Sequence, residues 1–160
     1  MNGDMMKYEK LLVAAQALLE TENNFISLLA NASAFLNEHL TTLNWVGFYL
    51  YDKTVLRVGP FQGKVACSII TPPNGVCGTA FAKGETIVVD DVHTFEGHIA
   101  CDAASQSEIV IPILSQKHGK IGVLDIDSPI KSRFDQELTV FLETFVSLLT
   151  KYIDNLESIY

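Results

Sequence analysis

The sequence predicts an α+β fold, read as a single domain over residues 1–160. Two patterns lead there. Apolar residues recur at helical spacing near both ends of the chain, and between them alternating residues mark short strands separated by turn signals. Helices, then antiparallel strands, then a closing helix give segregated layers. No internal repeat, linker or low-complexity tract interrupts this order.

Tyr8, Leu11, Leu12, Ala15, Leu18 and Leu19 predict a first helix, and Phe25, Leu28, Leu29, Ala32, Phe35 and Leu36 a second. The polar break Glu20-Thr21-Glu22-Asn23-Asn24 separates them, with Asn24 placed to cap the second. In NWVGFYLY, from Asn44, one strand face takes Val46, Phe48 and Leu50 and the other Trp45, Gly47, Tyr49 and Tyr51. Asp52-Lys53-Thr54 turns the chain into a strand from Val55 to Gly59, and Val65 to Thr71 predicts another, carrying Cys67. After the turn Pro72-Pro73-Asn74-Gly75, Val76 to Lys83 suits a short helix with Cys77 near its start, and Thr86 to Val89 a short strand.

Asp91 to Glu108 has neither the helical nor the strand period and reads as a long loop. Loops of this length inside a domain are usually functional or disordered. Phe95, Ile99 and the small residues Ala100, Ala103 and Ala104 suit packing on a core, which favours function. Ile109 to Leu114 and Lys120 to Ile126 form a hairpin around Gln116-Lys117-His118-Gly119. Ser132-x-x-Asp135 resembles a capping box opening a long helix. Along it Leu138, Leu142, Phe145, Leu149, Tyr152 and Leu156 form a coiled-coil-like seam, suited to packing on the N-terminal helices or to a dimer bundle.

The totals exclude several classes. With 11 basic against 19 acidic residues the net charge is −8, which argues against a nucleic-acid binder and an anionic membrane surface. The apolar run Leu11 to Leu19 is broken by Gln16 and preceded by Asp4 and Glu9, unlike a signal peptide, and no segment reaches the length of a membrane span. The cytoplasm is therefore the expected compartment. Three cysteines do not make a secreted disulfide framework; they are buried thiols, metal ligands or redox groups.

Counting outward from a four-residue hairpin loop, Ser115 faces Lys120 and Glu108 lies opposite Asp127, with Asp125 on the same strand face. Like charges opposed across strands are destabilising, so the trio calls for a proton, a cation or a ligand, unless these are solvated strand ends. A one-residue slip would separate Glu108 from the pair. Cys101 precedes Glu108 in the same segment, beside Asp102 and a small polar run that does not suit a buried thiol. Nearby carboxylates disfavour a thiolate, but a crowded carboxyl that keeps its proton can activate an electrophile for that thiol. Cys67 and Cys77 are candidate redox partners. A zinc site would draw on Cys67, Cys77, His93, His98 and Cys101, but no pair has CxxC spacing, so neither metal nor cofactor is expected. A cysteine-hydrolase dyad with His93 or His98 as base leaves the acids unexplained, and these histidines suit loop-shaping hydrogen bonds. Trp45 and Tyr49 flank Gly47 and leave a gap walled by aromatics, suited to core packing or to a methyl group on an electron-poor sulfur.

The blocks NWVGFYL, GPFQGKVAC, GVCGTA, DVHTFEGHIACDAASQSEIVIPI and IGVLDIDS resemble the free methionine-(R)-sulfoxide reductase family, a catalytic branch of the GAF-domain superfamily, over about Asn44 to Phe145. The resemblance implies a GAF fold: an antiparallel sheet of about six strands, N- and C-terminal helices on one face, a ligand pocket on the other, and commonly a homodimer. It implies an oxidoreductase acting on a sulfur group, in the setting of oxidative stress. Cys101 would attack the sulfoxide sulfur and become a sulfenic acid, Cys67 would resolve it as a disulfide, and thioredoxin would reduce that. Cys77 matches a third cysteine with a secondary role. Glu108, Asp125 and Asp127 would hold the substrate ammonium and polarise or protonate the sulfoxide oxygen, and Trp45 with Tyr49 would enclose the S-methyl group. The R preference comes from the resemblance alone. A methionine sulfoxide inside a protein carries no ammonium, so the acid trio itself points to the free amino acid. The alternative, a non-catalytic GAF sensor of a small ligand, has no need of Cys67 and Cys101 together, and a purely structural dimerisation module leaves the long loop unexplained.

Overall fold

The computed structural model describes residues 3–99 and 101–160; Ala100, counted among the packing residues of the long loop, lies outside them. In chain order the elements are α1 (Gly3–Leu19), α2 (Phe25–His39), β1 (Trp45–Tyr51), β2 (Leu56–Gly63), β3 (Ile69–Ile70), α3 (Gly75–Lys83), β4 (Ile87–Val89), β5 (Ser107–Ser115), β6 (Gly119–Ser128) and α4 (Gln136–Asp154). The strands form a six-stranded antiparallel sheet in the order β3-β2-β1-β6-β5-β4.

Strand alternation sends side chains into two separate layers. Val46, Phe48 and Leu50 of β1 join Ile109, Leu124 and Ile126 under α1, α2 and α4. Trp45 and Tyr49 point the other way, with Val110 and Val123, to meet Val76, Cys77 and Phe81 of α3. The helix-covered layer holds most of the core, where each fully buried Leu or Phe contributes roughly 1.5–3 kcal/mol. The seam Leu138, Leu142, Phe145, Leu149, Tyr152 and Leu156 is consumed there, packed within its own chain. Asn24 caps α2 as expected, its side chain accepting from the Ser27 N–H at 3.0 Å.

Four expectations are corrected. The second strand runs past Gly59 to Gly63, because a register shift opposite Phe48 accommodates Pro60, which has no N–H to give a ladder. Cys67 is not in a strand: only Ile69 and Ile70 pair with β2, on the sheet edge, and residues 65–67 are loop. Asp135, not Ser132, is the N-cap of α4, accepting from the Leu138 N–H at 2.9 Å, while Ser132 sits in the left-handed region at φ 54°. Within the long loop Phe95 packs on the pocket-side layer, but Ile99 is partly exposed and Ala103 and Ala104 are exposed.

The hairpin carries the most consequential difference. Ser115 pairs with Gly119, not Lys120, so the turn is Gln116-Lys117-His118, with Gly119 at φ +79°. A bulge then inserts Ile121 between the pairs Leu114–Lys120 and Ile113–Gly122. The shorter turn and the extra residue cancel, so Glu108 faces Asp127 as counted from the sequence. Glycine is required at position 122, where a Cβ would come within 2.0 Å of the Tyr49 carbonyl oxygen.

Candidate active site

Glu108 belongs to the second residue of β5 and not to the loop, and the register brings it beside Asp127 and Val110 beside Asp125. On the far side of β6, Trp45 pairs with Asp127 and Gly47 with Asp125. The three acids thus occupy one patch of the pocket face, flanked by Trp45 and Tyr49. Glu108 and Asp125 are buried, at 6% exposure each, and Asp127 is half-buried. One oxygen each of Asp125 and Asp127 is buried without a hydrogen-bond partner among the described residues.

Burial dominates their protonation. It pushes the Glu108 carboxyl up to about 8, helped by the Asp127 charge. Asp125 and Asp127 also lie well above the ordinary carboxylate range, first through burial and then through their acidic neighbours. Burial and the same acids raise the Cys77 thiol, which is enclosed beside Asp125. His98 Nε2 lies 3.5 Å from Glu108 Oε1; burial lowers the imidazole while raising the carboxyl, so at neutral pH this contact is not one between full charges.

The loop before β5 forms the opposite wall. A short 3-10 turn, Val92–Thr94, is capped by Asp91, and His93 faces outward with its Nδ1 3.1 Å from Asp91 Oδ1. Further along, Cys101 is disulfide-bonded to Cys67, with Cα atoms 5.5 Å apart. The aromatics of β1 hold the Cys67 segment. Tyr49 donates its hydroxyl to the Cys67 carbonyl at 2.9 Å, and Trp45 Nε1 donates to the Lys64 carbonyl at 3.2 Å. The gap expected at Gly47 is filled by β2, since a Cβ there would meet Phe61 Cβ at 2.2 Å. Phe61 stacks on Trp45 at 5.0 Å, and Trp45 on Tyr49 at 5.7 Å.

A polar tie unmarked in the sequence anchors this wall to the acids. Asn44 donates to Asp102 Oδ2 and to Ser105 Oγ, both at 3.0 Å, and Ser105 donates on to Asp127 Oδ2 at 3.2 Å. Together the walls leave a cavity of about 30 Å³, with Cys77, Cys101, Glu108, Asp125 and Asp127 among its lining.

A family model described as GAF domain matches residues 8–153. The free methionine-R-sulfoxide reductase of Escherichia coli (strain K12) is 51% identical over 137 residues, which is 86% of this chain and 82% of that protein. The chain belongs to the free methionine-R-sulfoxide reductase family of GAF domains. Among solved structures, fRMsr of Staphylococcus aureus in complex with substrate is similar at 49% identity and a TM-score of 0.86, over 91% of this chain and 95% of that one. The free methionine-R-sulfoxide reductase of Neisseria meningitidis in complex with its substrate has 38% identity and a TM-score of 0.89, over 96% and 92%.

In this GAF domain Trp45, Tyr49, Cys77, Cys101, Glu108, Asp125 and Asp127 line one pocket, and Cys67 reaches it through its bond to Cys101. His98 lines it too, whereas His93 does not. The five-residue zinc set drawn from the sequence is not assembled, since Cys67 and Cys101 are bonded to each other and His93 faces outward. Among the described residues, the metal-capable group is instead Cys77, Glu108 and Asp125. The tie of Asn44 to Asp102 and Ser105 has no signal in the sequence, since its partners lie up to 61 residues apart.

Proposed function

We propose that this chain, a single GAF domain, reduces free L-methionine (R)-sulfoxide to methionine. One juxtaposition carries the reading: the Cys67–Cys101 disulfide borders a cavity lined by three carboxyls, two of which have an oxygen without a partner among the described residues. A buried acid cluster of this kind is completed by a cation that brings its own hydrogen-bond donors, and the ammonium of a free amino acid does so.

In the reduced protein Cys101 attacks the sulfoxide sulfur. The oxygen passes to Cys101 as a sulfenic acid, and methionine leaves as the thioether. The Cys67 thiol then displaces that oxygen as water, forming the Cys67–Cys101 disulfide. A thioredoxin dithiol returns two electrons and two protons. The raised carboxyls keep protons in the cluster at neutral pH, available to the sulfoxide oxygen while another acid holds the ammonium. Trp45 and Tyr49 wall the S-methyl group, and Cys77 stays in a secondary role. The cavity is far smaller than the roughly 300 Å³ at which ligand pockets begin, so substrate entry requires its walls to move apart. The working protein is a cytoplasmic homodimer that acts under oxidative stress.

The test is thioredoxin-coupled NADPH oxidation on the separate R and S epimers of free methionine sulfoxide. Turnover of R alone, abolished in Cys101→Ser, is the expected result. Comparable turnover of the N-acetylated R epimer would refute the ammonium assignment.

A further inference from the structure

The acids of the same chamber also have the makings of a metal site, which the redox reaction itself does not require. Cys77 Sγ and one carboxylate oxygen each of Glu108 and Asp125 lie within 4.8 Å of one another, and all three residues are buried. A cluster of acids alone would not point to a ligand. Here a second observation does: Asp125, at 6% exposure, keeps one oxygen buried and without a partner in the chamber wall. His98 Nε2, 3.5 Å from Glu108 Oε1 and also in the wall, offers a fourth donor.

We propose that Cys77, Glu108 and Asp125, with His98 or a water as the fourth ligand, form an inhibitory site for zinc or a similar borderline-soft divalent cation. The inference rests on the substrate reading above only for its consequence, inhibition. Donor type selects the metal: a thiolate and an imidazole beside two carboxylates suit zinc, whereas magnesium and calcium prefer all-oxygen shells of six or more ligands. Size agrees. Ligand atoms on a tetrahedral zinc are about 3.3–3.7 Å apart, given zinc–ligand bonds of about 2.0–2.3 Å, so small side-chain rotations close the set. The chamber of about 30 Å³ admits an ion or a water but not an amino acid. Cys77 is the free thiol when Cys67 and Cys101 are bonded, so the site persists in the disulfide form. On binding, the Cys77 thiol and any protonated carboxyl release their protons to solvent, with no change of oxidation state. The cation takes the carboxylates that the substrate ammonium needs, so zinc competes with substrate.

The disulfide form of the full chain provides the test, because two of its three thiols are blocked. Zinc is titrated against a chromogenic indicator, and cadmium is titrated while watching for thiolate-to-metal charge transfer in the ultraviolet. One ion per chain, proton release and the charge-transfer band are expected. Cys77→Ala should abolish the band, and both it and Glu108→Gln should weaken binding by about tenfold or more. The band needs no variant, so a misfolded mutant does not spoil the test. No bound ion, or an ion bound without the band and unaffected by Cys77→Ala, overturns the site. The two readings fail separately. Metal bound with the band by a chain that does not turn over free methionine sulfoxide leaves the site standing and sinks the substrate assignment. Turnover of methionine sulfoxide by a chain that binds no zinc does the reverse.

Discussion

Replacing Glu108 by glutamine should make the protein harder to unfold as pH rises. Burial, then the neighbouring Asp127 charge, moves the Glu108 carboxyl from 4.5 to about 8. Across that window the folded protein retains a proton that the unfolded chain has released, so stability falls as pH increases. Each pH unit costs about 1.4 kcal/mol, and the window from 4.5 to about 8 therefore sums to about 5 kcal/mol as an upper bound for this one group. Glutamine has nearly the same shape and carries no titrating proton. Urea unfolding of the disulfide form, wild type against Glu108→Gln, at about pH 5 and again at about pH 9, reads the difference directly. The variant should gain several kcal/mol relative to wild type between the two conditions, a shift on the order of 10 °C in Tm for a domain of this size. A stability difference that does not change with pH, or a wild type that grows more stable toward pH 9, would refute the account of a buried, proton-holding acid.

Other expectations concern the walls of the chamber and the far side of the sheet. Tyr49→Phe removes the hydroxyl that holds the Cys67 carbonyl at 2.9 Å; it should cost about 1 kcal/mol and slow disulfide closure, so a sulfenic-acid trap followed by mass spectrometry should capture more oxidised Cys101 after substrate is added. Gly75→Ala should destabilise by about 1–2 kcal/mol in a denaturant titration, because Gly75 sits at φ +68° and a Cβ there would meet Ile99 Cδ1 of the active-site loop at 2.9 Å. Asp135→Ala deletes the cap on the Leu138 N–H and should cost about 1 kcal/mol in the same titration while leaving kcat and KM unchanged, since Asp135 lies on the helix side of the sheet.

Much of the site was legible because it depends on strand parity. Glu108, Asp125 and Asp127 share a face whenever the hairpin register is right, and counting residues set that register even though the turn itself was misjudged by one. The bulge at Ile121 left no local signature, as its glycine neighbour Gly122 reads equally well as part of a turn. Cys67 was misplaced for a different reason. The apolar run around it resembles a strand, but at the sheet edge hydrogen bonds from Tyr49 and Trp45 to carbonyls of this segment replace ladder pairing. Such contacts between distant residues have no periodic trace. Asn44 and Ser105, which tie the loop to Asp127, were silent for that same reason. Helices α1, α2 and α4 were readable because their apolar stripes answer to a single buried layer.

The compensating pair in the β5–β6 hairpin has a practical corollary for anyone editing this protein. Removing Ile121 alone leaves Leu114 opposite Lys120 and Ile113 opposite Gly122, so the ribbon closes over the kink and Glu108 still meets Asp127. Removing Val123 instead shifts every later residue by one frame, presenting Leu124 and Ile126 to the chamber and driving Asp125 and Asp127 into the helix-covered layer. Grafting experiments should therefore move residues 108–127 as an indivisible cassette.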